Sequence, residues 1–153
     1  MAVAIFYVLG LLVSVAAVLL MGQAHTVKTG AEVMLQYFLP VGVGLPLIFA
    51  FSGHVFRSDL AARRLGWAMG SPFQKEVGFW DLAAGVAAIC CFWLKGDFWL
   101  ATILFNTIFW VLAGGLHIKE VVKEKNYNID NAATAVVDFL VPATMVALYL
   151  IGR

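Results

Sequence analysis

Charged side chains in this chain stand at the ends of long uncharged stretches, and those stretches predict its elements. No charge precedes Lys28, so 2–22 is one apolar run. Glu32 and Arg57 bracket 24 residues without a formal charge, 33–56. Only Asp81 interrupts the stretch between Glu76 and Lys95, which gives 77–94. The run from Asp97 to Lys119 is uncharged and gives 98–118; that from Asp130 to Arg153 holds only Asp138 and gives 131–152. A membrane-crossing helix needs roughly 20 predominantly apolar residues. The pattern therefore predicts an all-α integral membrane protein, a bundle of five transmembrane helices forming a single domain over 1–153.

Composition agrees. Of 153 residues, 63% are hydrophobic and 12% charged, against about 45–50% and about 25% in soluble domains. A soluble single domain is excluded, and the lipid bilayer is the first partner the chain implies. With 10 Lys+Arg against 9 Asp+Glu the net charge is +1, so there is no basic field for nucleic acid. Loop cations set orientation. Arg57, Arg63, Arg64, Lys75, Lys119, Lys123 and Lys125 fall on one side; Lys28, Lys95 and Arg153 fall on the other. That asymmetry puts the N-terminus inside and the C-terminus outside. The small residues at 22–24 resemble a signal-peptidase site, but no Lys or Arg precedes the first apolar run, so it reads as a retained helix.

The longest connection, 57–75, contains Gly66, Gly70 and Pro72. Ser71-Pro72 breaks any helix there, and Ser71 is placed to cap one opening near Pro72 or Phe73. Trp67 reads as an interfacial anchor, and Leu60, Leu65 and Phe73 make the segment sticky enough to lie in the headgroup layer. Cys90 and Cys91 are adjacent within a span and read as small apolar helix residues.

Ionisable and amide side chains inside spans are costly and usually face the bundle interior. Here they are His54, Gln74, Glu76, Asp81, Asn106, His117, Asn131 and Asp138. At 1.5 Å per residue, His54 and His117 lie within about 3–5 Å of a cytoplasmic helix end, Asp81 roughly 7 Å beyond Glu76, and Asp138 roughly 10 Å in. Asn106 alone lies near mid-span. Faces agree with depths: Asn131, Thr134, Asp138, Pro142, Met145 and Tyr149 form one stripe, and Asn106, Trp110, Ala113 and His117 another. Gln74 shares a face with Asp81, Ala84, Gly85 and Ala88, and His54 lines up with Ala50, Leu47 and Pro40. Glu76 lies off the Asp81 stripe. His25, in the outer connection, reads as solvated.

This convergence predicts a cytoplasmic-side pocket that binds or carries a small polar molecule, ion or proton, with Asp81 and Asp138 as titrating groups. The bland alternative is a set of hydrogen bonds stapling the helices. A structural accessory subunit of a larger membrane complex, or a homo-oligomer, also fits the small-residue faces, Gly10-x-x-x-Ser14 included. A third alternative is a metal or haem redox protein ligated by His54 and His117, though no HxxH or HExxH spacing supports a transition metal. No cofactor is expected on the leading reading. No G-x-S-x-G context or phosphate-binding glycine loop occurs, so nothing marks the chain as an enzyme.

The run His54-Val55-Phe56, followed by Gly66-Trp67-x-x-Gly70-Ser71-Pro72-Phe73-Gln74-x-Glu76-Val77-Gly78-Phe79, resembles a signature of small bacterial membrane proteins catalogued as a domain of unknown function. The resemblance covers mainly 54–85, with a weaker echo at Gly115-Leu116-His117-Ile118 and Asn131. It implies a multi-pass protein of the bacterial cytoplasmic (inner) membrane and carries no activity, cofactor or catalytic residue.

Overall fold

The computed structural model describes residues 2–22 and 26–153. His25, and Gln23 and Ala24 of the small-residue site, lie outside the described residues. Every regular element described is helical: α1 (Ala2–Met21), α2 (Val27–Phe38), a π-helical turn (Leu39–Gly44), α3 (Leu45–Phe56), α4 (Ser58–Leu65), α5 (Phe73–Cys90), α6 (Asp97–Val122) and α7 (Ile129–Gly152). Among the described residues, four rods are long and apolar enough to cross a membrane: α1, the continuous α2–π–α3 rod (Val27–Phe56), α6 and α7. α5 is not among them, because it carries Lys75, Glu76 and Asp81.

Helix ends differ from the charge gaps for an identifiable reason. A gap marks the apolar part of a helix, whereas the backbone keeps its hydrogen bonds until something interrupts them. α2 thus begins at Val27, before Lys28 and Glu32, where Thr26 and Thr29 form a reciprocal cap: Thr29 N–H donates to Thr26 Oγ1 at 3.1 Å, and Thr26 N–H to Thr29 Oγ1 at 3.1 Å. α6 runs on through Lys119 and Glu120 to Val122. α5 begins at Phe73 and ends at Cys90, four residues earlier at each end than the charge pattern predicts. Its N-cap is Pro72, and no side chain caps it. Ser71 contributes only its carbonyl, which accepts from Gln74 N–H at 3.3 Å.

Inside the second rod Leu45 N–H donates to the Pro40 carbonyl, five residues back. Pro40 and Pro46 each remove an amide donor from the α-helical ladder here, which favours a local change of register. This turn also takes Pro40 out of the stripe that would align it with Leu47, Ala50 and His54.

Within the longest connection, residues 58–65 form α4. Gly66 ends it in the left-handed region (φ 73°). Trp67 N–H then donates to Ala62 O at 2.9 Å and Gly66 N–H to Arg63 O at 3.1 Å, the paired bonds of a Schellman stop. Arg57, Leu60, Ala61, Arg64 and Leu65 fall at i, i+3, i+4, i+7 and i+8, one face of this helix.

Small residues let the rods approach. A side chain on Gly10 would meet Gly42 Cα at 2.6 Å, and one on Gly85 would meet the Gly44 carbonyl at 3.0 Å. Ser14, fully buried, donates to Gly10 O at 2.6 Å. The Gly10-x-x-x-Ser14 face is therefore used within the chain, against the π turn. Leu35, Phe38, Leu39, Val43, Val141 and Met145 form the densest part of the core. α3 packs chiefly on α5 and α6 chiefly on α7, while α5 meets α6 only sparsely. Trp80 on Phe109, with ring centroids 3.7 Å apart, is one of the few bridges between α5 and α6.

Candidate functional site

Separation of the α3/α5 pair from the α6/α7 pair leaves a cavity of about 630 Å³ at the α4 end of the bundle. Its walls are mostly aliphatic and aromatic, and its polar lining comes from Ser52, His54, Arg57, Arg64, Trp67, Asp81, His117, Asp130, Thr134 and Asp138. α4 closes one side with its Leu60, Ala61, Arg64 and Leu65 face. The volume falls within the about 300–1,000 Å³ typical of small-molecule sites.

Two histidine–carboxylate pairs stand in this cavity. His54 Nε2 lies 4.0 Å from Asp81 Oδ2, and His117 Nε2 lies 4.0 Å from Asp138 Oδ2. Both distances are within ion-pair range but too long for direct hydrogen bonds. In the first pair, His54 Nδ1 and Asp81 Oδ2 are buried and have no hydrogen-bond partner among the described residues. Gly78 allows this pair to form: a side chain there would sit 2.7 Å from Val55 Cγ2 and 3.1 Å from His54 Cβ. Gly114 plays the same part in the second pair, where an added Cβ would meet Asp138 Cβ at 3.0 Å.

The second pair is held from behind. His117 Nδ1 and Asn131 Oδ1 are 2.7 Å apart, while Asn131 Nδ2 donates to the carbonyls of His117 and Asn126, each at 3.4 Å. Because Asn131 Nδ2 is committed to carbonyls, its Oδ1 must accept, which places a proton on His117 Nδ1. Nε2 then presents either a lone pair or a second proton to Asp138. Two facing lone pairs repel, so one proton, on Nε2 or on Oδ2, makes the pair attractive. Trp67 stacks on the His117 ring at 5.0 Å and 18°. Asn126 completes the frame: its Nδ2 donates to Leu65 O at 2.7 Å, binding the α6–α7 connection to the end of α4.

Of the eight candidate residues, the structure thus brings His54, Asp81, His117 and Asp138 to the cavity, with Asn131 directly behind His117. Three stand apart. Glu76 is exposed in the first turn of α5, where a carboxylate suits the helix N-terminus. Gln74, about two turns before Asp81 on α5, does not line the cavity, and its buried Oε1 has no partner among the described residues. Asn106 shares a helix face with His117 but lies 11 residues away, about 16 Å along the axis. It is fully buried and turns Nδ2 back to Thr102 O at 2.9 Å. Among the described residues, no three His, Cys, Asp or Glu side chains form a group able to hold a metal.

Sequence reasoning missed Trp67, Arg57, Arg64 and Asn126 as parts of the site. For the arginines a signal existed in the i, i+3, i+4, i+7, i+8 spacing of 57–65. For Trp67, read as an interfacial anchor, there was none: its ring reaches His117 only because the Schellman turn at Gly66 reverses the chain.

A family model described as a family of unknown function (DUF6790) matches residues 1–153, the whole chain. The chain belongs to this family. No curated protein and no solved structure matches the chain. Membership in DUF6790 therefore adds no ligand or activity to the geometry above.

Proposed function

We propose that this chain is a five-span protein of a bacterial cytoplasmic membrane, N-terminus inside, whose cavity faces the cytoplasm and binds or carries a small molecule with a polar group, an ion or a proton. One observation carries the reading: α3, α5, α6 and α7 bring two His–Asp pairs to a single cavity, and in neither pair do the partners approach to hydrogen-bond distance. A structural staple would draw buried polar atoms into hydrogen bonds, because an unmade bond in a water-poor interior is expensive. The 4.0 Å separations and the unpartnered His54 Nδ1 and Asp81 Oδ2 are better suited to a site that a ligand, a water or a proton completes.

On this reading α5 is the fifth span. Its 18 residues extend about 27 Å, its first-turn Lys75 and Glu76 sit at the interface, and Asp81 faces the cavity instead of lipid. The test is a thermal-stability screen in mild detergent against short carboxylates, amines, amino acids and alkali cations, paired with liposomes holding a pH-sensitive dye. A saturable stabilisation, or a proton flux, that Asp81→Asn and His117→Ala abolish is the expected result. No stabilisation and no flux, with both variants indistinguishable from the parent, would sink the proposal.

A further inference from the structure

Resting on the cavity reading above, we propose that the ligand is an anionic amphiphile taken from the membrane, with one apolar chain and a carboxylate or phosphate head. Most of the cavity wall is apolar, so a compact hydrophilic solute would satisfy the polar groups and leave the larger part of the space without a partner. That part is open sideways as well as down. Phe49, Leu112 and Leu116 line the cavity and nonetheless keep 48%, 69% and 45% of their surface accessible. They lie on α3 and α6, the helices that flank the seam where the two pairs fail to close. A chain in the bilayer can therefore reach the cavity without crossing water.

Charge selects the head. Asp81 and Asp138 each face a histidine, and Asp130 is engaged by a neighbour. Arg57 and Arg64 stand on one face of α4, both exposed and both lining the cavity, which places two permanent cations where the chain leaves the apolar region. An apolar tail gains little by exchanging lipid for protein, since both are equally apolar. Discrimination therefore falls to the head, and guanidinium groups match carboxylate and phosphate oxygens.

Trp67 and Trp110 line the cavity, and Trp80, Trp93 and Trp99 do not, which supplies the measurement. Bromine-substituted fatty acid, lysophosphatidate and fatty alcohol would be titrated into the full chain in mild detergent while tryptophan emission is read. We expect saturable quenching by one or both anionic probes, about tenfold weaker for the alcohol. The stronger anionic arm identifies the head as carboxylate or phosphate. The saturable component should vanish in Trp67→Phe/Trp110→Phe and in the cavity-filling Ala113→Phe. The preference for anions should vanish in Arg57→Gln/Arg64→Gln. Quenching that never saturates, that survives Trp67→Phe/Trp110→Phe, or that favours the alcohol equally overturns the proposal. If short polar solutes still stabilise the protein through Asp81 in that case, the cavity reading stands and the amphiphile alone falls.

Discussion

The middle of the bundle and its α4 end are built from the same helices to opposite specifications. Around the π turn, Phe38, Leu39, Val43, Val141 and Met145 are completely inaccessible, and backbones touch through Gly10, Gly42, Gly44 and Gly85. Within one to three turns along the same rods, His54, Asp81 and Asp138 stand around a cavity of about 630 Å³, with polar atoms left unpartnered. Water cannot drive helices together inside a bilayer, so close van der Waals packing has to hold them. The glycine-lined middle supplies it. That frees the α4 end to keep space and unmatched charge that would be intolerable if stability depended on it.

Substitutions can break this division of labour, beginning with the most damaging. Gly10→Leu, which drives a side chain into the Gly42 backbone, should cost about 3 kcal/mol, read as a collapse of the denaturation midpoint or loss of folded protein. Met145→Ala, in the packed middle, should cost about 2–4 kcal/mol, while Leu116→Ala at the cavity wall should stay within about 0.5 kcal/mol. Equal costs at the two positions would show that the cavity end is packed as tightly as the middle. Gly66→Ala meets both a left-handed backbone and Asn126 Oδ1 at 2.6 Å. A loss of about 1–3 kcal/mol is expected, together with a change in Trp67 emission as its stack on His117 loosens. Asn131→Ala is read at the ring and not in stability: 15N shifts of His117 should report Nδ1–H in the parent and a mixture of tautomers in the variant. A mixture already present in the parent would mean that Asn131 does not fix the ring.

The bundle's long rods were readable because charge is so costly in lipid that its absence alone outlines the helix interiors. α4 was not, because an eight-residue amphipathic helix within a glycine- and proline-bearing connection leaves too short a pattern. Depth along the axis and face around it located His54, Asp81, His117 and Asp138 in one region. Asn106, on His117's face but near mid-span, is set apart by depth alone, and it does not line the cavity. The Trp67–His117 stack and the Asn126 bridge depend on how two connections fold over the bundle end, and no periodicity records that.

The π turn has a consequence for phase. Leu35 and His54 are 19 residues apart, and at about 100° per residue they would point about 100° away from each other on an unbroken α-helix. The turn at Leu39–Gly44 absorbs one residue, leaving 18 effective steps, which is five whole revolutions. Leu35 can therefore bury itself in the packed core while His54, on the same rod, looks into the cavity beside Asp81. The irregularity works as a phase shifter: it lets one helix serve the dry half and the wet half of the bundle with the same edge.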